Sequence, residues 1–370
     1  MIKVEGLTKV FPGQTIPAVK DLNLEIKEGD VCVLVGPSGC GKTTTMKMIN
    51  RLYEPTGGKV YIRGEDHMKI DPIKLRLDIG YVIQEIGLFP HMTIYENIAT
   101  VPNEKKWPRE KTKEKVEELM HLVGLDPEIF QNRYPTALSG GQRQRVGVAR
   151  AMVSDPPIML MDEPFGAVDP ITRARLQNEF LRIQERMSKT IVFVTHDIDE
   201  AIKMSDTIAV MNEGELIQHD TPSDLLSAPA DEFVANLVGR HRSIKRLHLI
   251  RVHEILKEVD RTEPLTEDAK KEEVEKQLED SDLRTVIVVD RDNKLKGVIG
   301  ASDLKRKAGE VAGDYCHEVS DTVTDDATLN DALSVMLECG VGYVAVVNED
   351  EMYQGTITLG DLLNVVREDS

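Results

Sequence analysis

Apolar and polar positions alternate through the first thirty residues, with a break at Pro12-Gly13, so the chain is predicted to open with strands covered on one face. The alternation stops at Val31–Val35, an unbroken apolar run of strand length. Two more such runs follow, at 158–161 and Thr190–Thr195. Unalternating strands suit a parallel sheet buried on both sides. Between these runs the period changes. A helix is predicted over 42–52, and the pattern from 85 to 152 is helical. Over 111–123, Val116, Leu119, Met120 and Val123 share one face at 3.6-residue spacing. Strand, loop and helix thus alternate as in an α/β core, with a mostly helical insertion between its halves.

The last third of the chain repeats itself. Val286-Ile-Val-Val-Asp290, Gly297 and Ser302-Asp-Leu304 recur, 58 residues later and without a gap, as Val344-Ala-Val-Val-Asn348, Gly355 and Gly360-Asp-Leu362. Each copy reads strand, polar turn, strand, helix start, so two similar modules are expected to pack on each other. A basic stretch, 239–251, with Arg240, Arg242, Lys245, Arg246 and Arg251, precedes them. It reads either as a solvated linker or as a contact for anionic lipid or for the acidic region that follows. The expected organisation is 1–238, the linker 239–251, a first module at 252–309 and a second at 310–370.

Composition changes this picture little. No apolar run approaches the roughly 20 residues of a membrane span. Residues 1–5 alternate instead of forming a signal peptide's apolar stretch. A cytoplasmic chain is expected, with any membrane role reached through a partner. Net charge is −18, and residues 252–370 hold 13 Lys and Arg against 29 Asp and Glu, so nearly all of the imbalance falls there. Such acidity argues against nucleic acid as the main ligand, because neutralising phosphates drives that binding; it also suits an ordinary cytosolic domain. The four cysteines have no metal-ligand spacing and read as free thiols.

Chemistry is written at two places. Gly36-Pro37-Ser38-Gly39-Cys40-Gly41-Lys42-Thr43 follows a predicted strand and precedes a predicted helix, the setting of a phosphate loop. Its glycines let backbone N–H groups turn inward around phosphate oxygens, and the helix dipole assists. Lys42 can reach the β- and γ-phosphates, and Thr43 or Thr44 can help to hold Mg²⁺. The apolar run at 158–161 ends in Asp162-Glu163. Asp162 is placed for the Mg²⁺ shell, and Glu163 can polarise an attacking water.

With these motifs in order, residues 1–238 resemble the nucleotide-binding subunit of an ABC transporter. That resemblance implies an antiparallel β subdomain and a helical subdomain on the phosphate-loop core. It assigns Gln84 to a loop that senses the γ-phosphate and Mg²⁺ and faces the membrane subunit. Leu138-Ser139-Gly140-Gly141-Gln142 matches the signature that contacts the nucleotide of the opposite copy. Asp169 matches the loop across that interface, His196 the histidine that pins the γ-phosphate, and Phe11 the ring that stacks on adenine. One phosphate loop and one signature per chain then imply a homodimer with two shared sites.

The repeats resemble CBS modules, a tandem α/β pair. A cassette followed by such a pair is similar to the ATPases of glycine betaine, carnitine and choline importers, which implies integral-membrane permease subunits, an extracellular binding protein and a place on the cytoplasmic face of the membrane. An adenine nucleotide or cyclic di-AMP at the pair is implied as ligand, with Tyr343, Ile357, Thr358 and Asp361 as candidates; ionic-strength sensing is the other option. In the first module Gly300 stands where the second has Thr358, which puts a second full nucleotide site in doubt. The competing reading is a soluble nucleotide-sensing ABC ATPase that moves nothing.

Overall fold

The computed structural model describes all residues except 84–86, 167–172, 174–176, 179, 182–183, 185–188, 240–241, 257–262, 281–284, 307–308, 320, 349 and 368–370. The chain divides into two compact units, Met1–Gly239 and Arg240–Ser370.

In the first unit the strands are β1 (Ile2–Lys9), β2 (Val19–Ile26), β3 (Val31–Val35), β4 (Gly57–Ile62), β5 (Glu65–Asp66), β6 (Ile79–Val82), β7 (Ile158–Asp162), β8 (Thr190–Thr195), β9 (Thr207–Asn212) and β10 (Glu215–Asp220). They form an antiparallel sheet, β2-β1-β4-β5, and a six-stranded sheet, β10-β9-β3-β8-β7-β6. The second sheet is parallel except for β10. β3, β7 and β8 are buried at every position, which is why their sequences do not alternate. One core joins the antiparallel sheet to the helix Lys42–Ile49 and to one face of the parallel sheet.

That helix stops three residues before the predicted end. Asn50 closes it and Arg51 turns left-handed at φ 49°, its guanidinium donating to the carbonyls of His67 and Ile70. In the helical part, Thr93 starts the helix Ile94–Ile98 through a capping box with Glu96. The amphipathic run at 111–123 lies in the helix Arg109–Leu122, with Val116, Leu119 and Met120 buried.

The second unit holds β11 (Leu265–Thr266), β12 (Thr285–Val289), β13 (Leu295–Gly300), β14 (Val323–Thr324), β15 (Tyr343–Val347) and β16 (Tyr353–Thr358). They make two three-stranded sheets with the same order and register: Thr285 pairs with Gly300 as Tyr343 pairs with Thr358. The segments leading into the modules are exchanged. Val252 and Leu256, at the start of the segment 252–309, are buried in the core of the second module, with Leu329, Val346 and Ile357. Ala312 and Tyr315, at the start of the segment 310–370, are buried in the core of the first, with Val274 and Val288. The stretch expected as a linker also carries structure, a helix Arg242–Arg246 and a buried Leu247 in the second module's core.

Candidate active site

The phosphate loop joins β3 to the helix Lys42–Ile49. Gly36 has φ 150°, and a Cβ there would lie 2.1 Å from the Met211 carbonyl oxygen; Gly39 adopts φ 84°. Only residues without a side chain trace this path, and it is the path that brings consecutive N–H groups round to one side. Lys42 is buried, and its ammonium donates to the carbonyls of Gly36 at 2.6 Å and Pro37 at 2.9 Å, within the loop it serves. Thr43 Oγ1 donates to Asp162 Oδ1 at 3.0 Å, across from β3 to the end of β7. A hydroxyl and a carboxylate oxygen held together are the hard donors that suit Mg²⁺, an ion that keeps most of its remaining shell for water and phosphate. The residues present fit that ion.

Burial pushes the Asp162 carboxyl above its ordinary pKa; the Thr43 hydrogen bond opposes this, the neighbouring Glu163 charge adds to it, and Lys47 and Lys42 oppose it. Lys47 was not among the residues the motifs suggested. Its signal was position: it follows Thr43 by four residues, one helical turn along the same face.

Glu163 leaves β7 in a left-handed conformation, φ 47°, which costs about 1–2 kcal/mol for a residue with a side chain. Its N–H donates to the Val194 carbonyl, and its own carbonyl accepts from the Gly166 N–H and from Gln144 Nε2. The turn aims the Glu163 carboxylate at His196, whose Nδ1 lies 3.2 Å from Oε1. His196 follows β8 and is held from behind. The Thr195 hydroxyl donates to the buried Glu200, Gln177 donates to the same carboxylate at 2.9 Å, and the Asp197 N–H donates to Thr195 Oγ1. Burial raises the Glu200 pKa, and the bonds from Thr195 and Gln177 oppose the rise. Thr195, Gln177 and Glu200 belong to no motif the sequence offered: Gln177 lies 23 residues from Glu200, and the bond from Thr195 to Glu200 spans the end of β8 and the helix that follows.

The structure thus brings Lys42, Thr43, Asp162, Glu163 and His196 to the C-terminal ends of β3, β7 and β8. Ser139 caps the helix Gly140–Met152 through a capping box with Gln142, leaving Gly140 and Gly141 in the first helical turn. That helix start favours anions. Phe11 packs edge-on against Tyr53 at 5.4 Å, with the Lys9 ammonium 5.3 Å from its ring centre. Gln84 and Asp169 lie outside the described residues. Just beyond Gln84, the fully buried Asn97 fixes the backbone of 89–93, donating to the carbonyls of Phe89, Met92 and Thr93 and accepting from the Phe89 N–H.

The ABC transporter family pattern matches residues 19–166, and the CBS domain pattern matches twice, at 256–310 and 312–368. The glycine betaine/carnitine/choline transport ATP-binding protein of Bacillus subtilis is 47% identical over 99% of this chain and 96% of its own length. The chain belongs to the ABC transporter ATP-binding proteins that carry a CBS pair. A choline transport ATP-binding protein of the same organism is 46% identical over 99% of this chain, and the osmoprotectant import ATP-binding protein of Salmonella typhimurium 45% over 97%. Among solved structures, a dimeric bacterial ABC transporter cassette superposes with a TM-score of 0.57 at 36% identity, covering 60% of this chain and 99% of its own. A dimeric cassette bound to ADP and phosphate gives 0.56 at 35%, with the same coverage. The first unit is accordingly an ABC-type ATPase that binds ATP.

In the CBS pair, Tyr343 meets the other module. Burial raises its pKa, a hydrogen bond with the Thr285 side chain opposes this, and the Asp303 charge adds to it. Thr285 and Asp303 occupy in the first module the positions of Tyr343 and Asp361 in the second, so the two equivalent corners face one another. Asp361 Oδ2 accepts from both the N–H and the hydroxyl of Thr358, at 2.8 and 2.7 Å. Asp303 Oδ2 accepts from the Gly300 N–H at 2.7 Å and pairs with His317 at 3.3 Å. Ile357 is fully buried in the second module's core. Its side chain packs there and is not free to stack on a ligand, because alternate residues of β16 face opposite ways. Among the described residues, no helix is long and apolar enough to cross a membrane.

Proposed function

We propose that this chain is the ATP-hydrolysing subunit of an importer for quaternary ammonium compatible solutes such as glycine betaine, carnitine or choline. The observation that carries the reading is the match over nearly the whole length, cassette and CBS pair together, to proteins named for that transport. The chain works as a homodimer on the cytoplasmic face of the membrane, attached through permease subunits that an extracellular binding protein supplies. Dimerisation is a requirement of the site, since one copy supplies either the phosphate loop or the signature to a given nucleotide.

Within that site the backbone of 36–43 cradles the phosphates, and Lys42 exchanges its two loop carbonyls for phosphate oxygens. Thr43, Asp162 and Gln84 hold Mg²⁺, which supplies neutralisation of charge on the transferring phosphoryl group when bound. Glu163 takes a proton from the attacking water, and His196, 3.2 Å away, holds the Glu163 carboxylate and the γ-phosphate in one arrangement. Phe11 stacks on adenine. Ser139 to Gln142 and Asp169 complete the partner's site. The segment 89–93, shaped by Asn97, presents the permease surface.

The CBS pair gates this motor by taking cyclic di-AMP at the corner where Tyr343, Thr358 and Asp361 meet Thr285 and Asp303. A coupling of about 1–3 kcal/mol between ligand and motor suffices for control. The test is reconstitution with the permease and binding protein: ATPase activity rises when the binding protein carries glycine betaine, carnitine or choline. Activity indifferent to all three would leave a nucleotide-sensing ATPase without transport. Calorimetric titration of the full chain with cyclic di-AMP at two salt concentrations, on wild type and Tyr343→Ala, tests the second part. Heat that persists unchanged in the variant, or no binding with activity tracking salt alone, rules the dinucleotide site out.

A further inference from the structure

Gln144 is nearly fully buried on the signature helix, and its amide Nε2 donates to the Glu163 carbonyl at 3.1 Å. Among the described residues, its buried Oε1 has no hydrogen-bond partner. A buried amide left half-satisfied is costly, so the bond it does make has to hold something that matters. What it holds is the carbonyl of a residue strained at φ 47°, the residue whose side chain reaches His196. Gln144 is five residues beyond Ser139, about 7.5 Å along one helix. A rigid helix therefore joins the capping serine to the Glu163 turn.

We propose that Gln144 is a positioning residue that couples the two nucleotide sites of the dimer. The proposal rests on the assignment of Glu163 to the copy's own nucleotide and of Ser139 to the partner's. When the partner's γ-phosphate draws Ser139, the helix start moves, Gln144 moves with it, and the Glu163 turn is set for hydrolysis. Each copy's base is then armed by the other copy's nucleotide.

The test uses the full chain with Gln144→Leu and Gln144→Glu. In Gln144→Leu, the Kd for a fluorescent ATP analogue with Mg²⁺ stays within about twofold, kcat falls about tenfold for one lost hydrogen bond, and the Hill coefficient for ATP drops toward 1. In Gln144→Glu the buried carboxyl, its pKa raised, still donates when protonated. Its kcat relative to wild type is therefore near normal at low pH and falls as pH rises, whereas the Gln144→Leu ratio stays flat. A merely structural glutamine could give the same pH-dependent ratio in Gln144→Glu, but it would leave the Hill coefficient unmoved. Flat ratios for both variants, an unchanged Hill coefficient, or nucleotide binding lost in step with kcat would overturn the proposal. If Gln144→Leu does not fold, the Hill coefficient of Gln144→Glu decides: it is near wild type at low pH and falls toward 1 as pH rises, and a coefficient that stays at the wild-type value throughout overturns the proposal. Glu163→Gln run beside them separates the two levels: near-normal hydrolysis there removes the base and the coupling together, while a dead Glu163→Gln beside an unaffected Gln144→Leu removes the coupling only.

Discussion

Alanine at Gly36 and at Gly39 separates the two reasons a phosphate loop needs glycine. At Gly36 an added Cβ lies 2.1 Å from the Met211 carbonyl oxygen and 2.9 Å from Cys40 Sγ, at φ 150°. Reaching ordinary contact with that oxygen requires roughly 1 Å of movement in the loop or in β9, a strand held on both sides within the sheet. The backbone conformation costs about 1–3 kcal/mol, and overpacking against a fixed neighbour about 1–3 kcal/mol more. At Gly39, φ is 84° but nothing lies within 4 Å of the added carbon, so only the backbone cost applies. With about 2–4 °C of Tm per kcal/mol in a domain of this size, Gly36→Ala melts roughly 5–20 °C below wild type and Gly39→Ala less by the packing share. Scanning calorimetry of the full chain reads this in the transition that MgATP raises, which marks the first unit. Equal losses in the two variants would refute the packing argument, as would a Gly36→Ala transition unmoved from wild type.

Glu163→Gln is expected to lower hydrolysis about 10²–10⁴-fold while keeping ATP binding, and to elute as an ATP-held dimer on gel filtration; a variant that stays monomeric in ATP even with its permease contradicts the shared site. Burial raises the Glu200 carboxyl above its ordinary value of 4.5, so the native state binds that proton more tightly than the unfolded chain. Stability from this group is complete below pH 4.5 and is lost as pH climbs through the raised value, so urea midpoints should shift in favour of Glu200→Gln between pH 4 and pH 7. Maleimide at pH 8 should label the exposed Cys339 and spare Cys32, whose thiol is pushed up to about 12 by burial; Cys32 labelling at the Cys339 rate would show the β3 environment to be misassigned. Asn97→Ala removes the side-chain bonds to the Phe89 N–H and to the Met92 carbonyl, and the second bonds to the Phe89 and Thr93 carbonyls, which keep the Met92 and Asn97 N–H groups, costing about 1–3 kcal/mol. It should depress permease-stimulated ATPase more than basal ATPase, which a paired assay measures.

The chain's own chemistry settles whatever depends on neighbours in sequence. The turn of 36–43 into a helix, the apolar delivery of Asp162 and Glu163 by β7, the Ser139–Gln142 cap and the 58-residue repeat are all local patterns, and each is readable because covalent spacing limits what a few residues can do. The β10-β9-β3-β8-β7-β6 order is not local, and every contact that crosses it waited for the tertiary structure. Gln144 on Glu163, Thr195 and Gln177 on Glu200, and Thr43 on Asp162 join residues 5 to 119 positions apart, which no period encodes. In the second unit the repeat announced two modules but not that their lead-in segments are exchanged. Val252 and Ala312 are both apolar, and a hydrophobic side chain is indifferent to which of two similar cores buries it. Chain connectivity and the shape of the pair make that choice. The same geometry buries Ile357 and turns Tyr343 toward Thr285, because they belong to successive cross-strand pairs and successive residues of a strand point to opposite faces.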